Sequence, residues 1–229
     1  IGRVRPKLMT ALTAILGRAA SVLLASQRVV PRALAQWRFE FGFPSIEAAL
    51  DDIVHGAPVT IMPAGSIPEG AEHARYELRT RTVVDAPVDE TFAFFSRAEN
   101  LGLITPARMG FVIEGSIPAM AAGAIIDYRI RIGAVPVKWR TRIAEWDQGR
   151  RFVDTQQAGP YRLWWHEHAF RAEDGCTVMD DRVLYTPPLG LLGRLANRLF
   201  IAPEVARIFR YRSSVIRLRF GTAPPPGER

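Results

Sequence analysis

Residues 161–188, YRLWWHEHAFRAEDGCTVMDDRVLYTPP, decide how this chain folds. Glu173-Asp174-Gly175 lies between two alternating runs, and Asp-Gly in that setting is the strongest short-range signal of a β-hairpin. Side chains alternate along a strand, so Trp164, His166, His168 and Phe170 share one face and Trp165, Glu167, Ala169 and Arg171 the other. In the second strand Met179, Asp181, Val183 and Tyr185 lie opposite Asp180, Arg182, Leu184 and Thr186. A sheet face that mixes large aromatic rings with a few polar tips is how a ligand cavity is lined.

Upstream of the hairpin the same period recurs. Residues 76–84, 111–115, 124–132, 135–146 and 151–157 read as strands. Ile126, Tyr128, Ile130 and Ile132 oppose Asp127, Arg129 and Arg131, while Val137, Trp139, Thr141 and Ile143 oppose Lys138, Arg140 and Arg142. That pattern predicts an antiparallel sheet with one solvated side. Pro87 suits a first helical turn, and Val88, Phe92 and Phe95 then make one apolar helix face. A shorter helix or turn is expected over residues 99–104. Downstream, residues 189–219 read as helical with a break at Pro203, and Val205, Ile208, Phe209, Arg212 and Ile216 share a stripe. A sheet with one apolar side and a long helix with a greasy stripe are both buried if the sheet curls around the helix, and the gap between them is a pocket.

The chain has 229 residues, 48% of them hydrophobic and 23% charged, enough for one full domain and a smaller unit. Its single cysteine, Cys176, excludes an intramolecular disulfide framework, so a reducing cytoplasm is the expected location. The net charge of +7 is unevenly placed. Residues 1–50 carry seven basic and two acidic groups, residues 189–229 eight and two, and the middle fifteen and nineteen. A nucleic-acid reading therefore rests on the ends alone, and no nucleic-acid partner is expected. Arg3-Val4-Arg5-Pro6-Lys7, an apolar run over 8–16 and then Ala19-Ala20 have the order of a secretory signal, with an ordinary buried helix as the alternative. Arg18 interrupts the run short of the ~18 apolar residues a membrane span needs, so no transmembrane segment is expected.

Leu23-Leu24-Ala25-Ser26-Gln27-Arg28-Val29-Val30-Pro31, then Phe39-Glu40-Phe41-Gly42-Phe43-Pro44 and a closing Ala-Leu helix near Ala48 to Leu50, give residues 1–55 a further reading. This stretch resembles the small, mainly helical C-terminal domain of epimerase-type short-chain dehydrogenases of the cell-division-inhibitor-like group. It departs from that family at Trp37-Arg38, where a glycine-bearing turn is usual. The catalytic part of such an enzyme is missing. The chain has no glycine-rich turn for a pyrophosphate, and none of Tyr76, Tyr128, Tyr161, Tyr185 or Tyr211 stands four residues before a lysine. No cofactor is implied, and an epimerase-type dehydrogenase is expected as a partner or a parent chain. Glycines and prolines over 56–73 predict a linker.

Over residues 74–220, Ala86-Pro87, Phe92-Ala93-Phe94-Phe95, Glu99-Asn100-Leu101 with Ile104-Thr105-Pro106, Gly159-Pro160-Tyr161, Trp165-His166-x-His168-x-Phe170, Asp181-Arg182-Val183-x-Tyr185 and Phe209-x-Tyr211-Arg212 resemble a bacterial branch of the START-like, or SRPBCC, ligand-binding superfamily. The resemblance implies an α+β helix-grip fold, a curled antiparallel sheet around a long C-terminal helix, followed by a disordered tail over 221–229. It implies a cavity too, since the superfamily includes lipid-transfer proteins, a ubiquinone-binding chaperone, polyketide aromatases and cyclases, and hormone-binding plant proteins.

Nine side chains are the expected ligand contacts: Tyr128, Trp139, Asp154, Trp164, His166, His168, Tyr185, Phe209 and Arg212. Each has a plainer role. The aromatics serve a core, the histidines hydrogen-bond neighbouring strands, and Arg212 snorkels or pairs with a carboxylate such as Asp154. His166 and His168 share a strand face, as two metal ligands do, but no spacing selects a third donor among Asp154, Asp181 and Glu114, so no metal is assigned. The leading expectation is non-catalytic carriage of a small hydrophobic molecule, a lipid, quinone or polyketide-like compound. One alternative is a cyclase or dehydratase that moves protons through His166 or His168. The other is RNA or membrane-surface association through Arg194, Arg198, Arg207, Arg210, Arg217 and Arg219.

Overall fold

The computed structural model describes residues 58–223. The expectations for residues 1–55, including the signal-like start and the epimerase-like tail, lie outside the described residues. Eight strands form one antiparallel sheet. They are β1 (Val59–Pro63), β2 (Tyr76–Val84), β3 (Val112–Glu114), β4 (Ile125–Ile132), β5 (Val135–Asp147), β6 (Arg151–Ala158), β7 (Leu163–Glu173) and β8 (Cys176–Thr186). Their order across the sheet is β1-β2-β8-β7-β6-β5-β4-β3. Helix α1 (Val88–Phe95) follows β2, and α2 (Gly190–Ala196) leads through a π-helical turn (Asn197–Ile201) into α3 (Ala202–Phe220). Pro203 falls in the first turn of α3, where a missing N–H costs nothing.

The hairpin forms at its expected turn. Asp174 and Gly175 both have positive φ, 49° and 78°, the backbone that a two-residue turn needs to match the twist of its strands. Glu173 pairs with Cys176, and the ladder runs from there to Leu163 and Thr186. Two bulges interrupt the ladder between β5 and β6. Ala144 of β5 and Gln157 of β6 are each passed over in the pairing, which runs Arg140 to Ala158, Thr141 to Gln156, Ile143 to Asp154 and Glu145 to Val153. An extra residue on one strand bends it and raises the local twist, so the sheet curls here.

Three expectations are corrected by the chain on either side of this sheet. Residues 56–73 are not linker throughout, because β1 pairs with β2 from Val59↔Thr80 to Pro63↔Tyr76. Ala71 then packs with Val153, Trp165 and Leu184 on the outer face, so that side of the sheet is covered here and not solvated. Residue 222 is ordered where a disordered tail was expected from 221, since Thr222 bridges to Val84, and residues 224–229 of that expected tail lie outside the described residues.

Two apolar clusters hold α3 to the sheet. One gathers Phe92, Phe94 and Phe95 of α1 with Phe152, Phe170, Met179, Ile216 and Phe220. Phe92 meets Phe152 and Phe170 edge-on, at centroid distances of 6.2 and 5.2 Å, a favoured aromatic geometry. The other joins Leu78, Val183 and Tyr185 to Val205 and Phe209. A buried hydrogen bond, Thr82 Oγ1 to Ser213 Oγ at 2.9 Å, ties β2 directly to α3. The helix thus rests on the β2 and β8 half of the sheet, and the curled half from β4 to β6 stands away from it.

Candidate functional site

Between the curled half of the sheet and α3 lies a cavity of about 690 Å³, within the size range of small-molecule sites. Its walls are mainly apolar. Ile126 and Ile130 come from β4, Trp139 and Ile143 from β5, Phe152 from β6, Phe94 and Phe95 from α1, and Val205, Ile208 and Phe209 from α3. Leu199 and Phe200 of the π-helical turn, both exposed, also line it.

Eight of the nine expected contacts line this cavity: Tyr128, Trp139, Asp154, Trp164, His166, His168, Phe209 and Arg212. Tyr185 does not. Alternation places it on the inner face of β8 as expected, but α3 lies directly on that strand, so Tyr185 is buried in solid packing with Leu78, Val183, Val205 and Phe209. Lining residues outside the expected set include Met109, in a segment that shows no strand or helix period, and Thr141, which alternation places on the same face of β5 as Trp139.

A polar strip crosses the inner face. Asp154 of β6 is paired with His166 of β7, and His168 of β7 with Asp181 of β8. Arg212 descends from α3 onto the same point. His166 Nε2 is 3.1 Å from Asp181 Oδ1 and its Nδ1 3.4 Å from Asp154 Oδ2. His168 Nδ1 is 2.8 Å from Asp181 Oδ1 and its Nε2 3.0 Å from Asp154 Oδ2. An Arg212 terminal nitrogen is 2.9 Å from His168 Nδ1 and 3.3 Å from Asp181 Oδ1. The guanidinium also lies over the rings of Phe95 and Phe209, 5.1 and 5.8 Å from their centroids.

Burial shapes the electrostatics of the strip. It pushes the Asp181 carboxyl up, but Arg212 and hydrogen bonds from the two histidines outweigh it and hold that group well below the usual carboxylate range. Asp154 follows the same balance, with burial outweighed by the adjacent histidines and Arg212. His166 is driven down to about 4, first by burial and then by the neighbouring His168, against the pull of both carboxylates. Burial raises the phenol of Tyr128 far above its ordinary value, so it stays a neutral hydroxyl, 3.3 Å from Thr141 Oγ1. Among the described residues the buried donor Trp139 Nε1 has no hydrogen-bond partner.

Fold and site together define an α+β protein with an open antiparallel sheet, a C-terminal helix and an internal apolar cavity floored by charge, an arrangement consistent with a helix grip. A structure of TTHA0849 from Thermus thermophilus has the same fold, with a TM-score of 0.50 at 15% identity over 62% of this chain and 98% of that one. Protein Ms6760 from Mycobacterium smegmatis aligns with a TM-score of 0.49 at 12% identity, over 71% of this chain and 98% of its own. A protein from Mycobacterium smegmatis described as of the START superfamily aligns with a TM-score of 0.46 at 11% identity, over 62% and 98%. Residues 9–53 match a family model described as a domain of unknown function, DUF1731. No curated protein matches the chain. Among the described residues no helix is long and apolar enough to cross a membrane.

Proposed function

We propose that residues 74–220 form a START-like module that binds and carries a small hydrophobic molecule bearing one or two oxygen functions, a lipid, quinone or polyketide-like compound. The cavity carries this reading. Its volume of about 690 Å³ and apolar walls suit a ligand that is mostly hydrocarbon or ring. Its polar groups ask for oxygen. Trp139 Nε1 has an N–H to donate and no partner among the described residues, and a buried donor left unpaired costs about 1–3 kcal/mol, so an acceptor on the ligand is favoured beside it. Asp154, held as a carboxylate, accepts from a hydroxyl.

Native mass spectrometry of freshly purified full-length protein tests the proposal. A co-purifying apolar compound, or micromolar binding from a panel of fatty acids, phospholipids and quinones, is the expected result. A protein that purifies empty and takes up nothing from that panel removes the reading. A second reading, a cyclase or dehydratase, is favoured by the presence of both histidines on the cavity wall. Under it, His166→Ala and His168→Ala abolish turnover and leave affinity largely intact. The match over residues 9–53 supports a companion proposal, that the N-terminal segment derives from an epimerase-type dehydrogenase which is its partner or parent chain.

A further inference from the structure

Helix α2 and the π-helical turn are turned inside out. A surface helix buries its large apolar side chains and leaves its polar ones to solvent. Here Gly193 and Asn197, four apart, are the buried residues. Leu192, Leu195 and Leu199, spaced three and four apart on one stripe, face outward, and with Leu189 and Phe200 they are 54 to 72% exposed. The cause is local. A Cβ at Gly193 would collide with the carbonyl oxygen of Pro188, so the segment lies too close to residue 188 for any side chain at 193. An apolar ridge left in solvent marks a place where something binds.

Basic groups flank the ridge. Residues 187–201 contain Arg194 and Arg198 and no acidic residue, and both arginines are exposed. Against α2 lies a cleft of about 370 Å³ whose wall includes Arg75, Arg162 and Arg194. Among the described residues that wall holds no carboxylate, and none of the three guanidiniums has one within salt-bridge distance. The planar guanidinium fork matches the oxygens of a phosphate. The occupant must therefore be apolar where it meets the leucines and anionic beside them. A second copy of this chain would set the same arginines against each other, and residues 1–50 carry seven basic groups against two acidic ones. A lipid surface with acidic headgroups supplies both halves.

We propose that α2 and the π-helical turn dock on an anionic lipid bilayer, with Leu192, Leu195, Leu199 and Phe200 entering the acyl region and the flanking arginines taking lipid phosphates. Leu199 and Phe200 also line the cavity, so docking brings its mouth to the membrane surface. Leu192 and Leu195 are not part of the cavity wall. Attachment therefore does not depend on what the cavity holds, and substitutions at those two leucines test it apart from the carrier reading.

The test sediments full-length protein with vesicles of phosphatidylcholine alone and of equal parts phosphatidylcholine and phosphatidylglycerol. Expected are binding to the mixed vesicles that weakens as salt rises and much weaker binding to phosphatidylcholine. Leu192→Ser combined with Leu195→Ser should lower partitioning into the mixed vesicles by at least about 10-fold and leave Tm unchanged. Arg75→Gln combined with Arg194→Gln should remove most of the preference for phosphatidylglycerol. All four side chains are exposed, so these variants keep the fold. Wild-type protein that stays in the supernatant with the mixed vesicles overturns the proposal. A leucine variant that sediments like wild type overturns it too, since the arginines alone would then account for binding. So does a wild-type dimer that the leucine variant dissolves, which would make the ridge an interface between copies.

Discussion

Replacing Arg212 by methionine removes the cation that balances a buried carboxylate and keeps most of the side-chain volume. The side chains of Arg212 and Asp181 are 8% and 3% exposed, and their contact at 3.3 Å is buried from solvent. Breaking such a pair from one side costs about 3–5 kcal/mol because the surviving charge has nowhere to go, and for a domain of this size that corresponds to a fall of about 6–20 °C in Tm. The loss should depend on pH. Arg212 is the largest cause that holds the Asp181 carboxyl low, so its contribution is present above the unfolded carboxylate value and is lost as pH falls through the folded one. Calorimetry at pH 3 and pH 8 should therefore show the larger loss at pH 8. Adding Asp181→Asn removes the stranded charge, so the double variant should lose much less than the sum of the single variants. A fall under about 2 °C at pH 8 for Arg212→Met, or additive effects in the double variant, would refute the reasoning.

Three other outcomes are expected. Glu77 is buried on the outer face; burial raises its carboxyl, but bonds from Arg182 at 2.8 Å and from Arg79 outweigh that and hold it below its ordinary value. Its contribution is present above the unfolded value and lost as pH falls through the folded one, so Glu77→Gln should cost about 1.5–3 kcal/mol at pH 7 and converge with wild type below about pH 4 in acid-unfolding curves. A Cβ at Gly159 would collide with Gln156 Oε1. Gly159→Ala must therefore displace the side chain that bonds the backbone of Tyr161 through both its amide atoms, for a loss of about 1–3 kcal/mol in urea melts and faster release of any ligand held beneath Tyr161. Trp139→Phe removes an N–H with no partner among the described residues, so it should weaken ligand binding more than it lowers Tm, as calorimetric titration with a compound identified from the panel would show.

Much of this arrangement was legible in the chain. A two-residue turn at Asp174-Gly175 fixes the pairing Glu173 to Cys176, and counting outward from it brings His168 to Asp181, so one edge of the polar strip follows from sequence alone. The other edge does not. Asp154 meets His166 across a longer connection, next to a bulge at Gln157, and neither sets a register by residue type. Tyr185 shows the same limit from another side, since alternation gives its face but not which half of the sheet the helix covers. Strand β1 was hidden by composition. Met62-Pro63-Ala64-Gly65 reads as a turn, but Pro63 ends an edge strand, where a missing N–H breaks no interior ladder.

The bulge at Ala144 has an evolutionary corollary. Thr141 and Trp146 are an odd number of positions apart, which strict alternation would send to opposite sides, yet both turn inward, opposite Gln156 and Phe152. One surplus residue reconciles them. Removing that residue would leave the two side chains four positions apart, so the strand would straighten while Trp146 still faced inward, and the bend in the wall would be lost. Relatives of this protein can therefore retune the shape of the chamber through indels at that single joint, a larger lever than any exchange of one side chain for another.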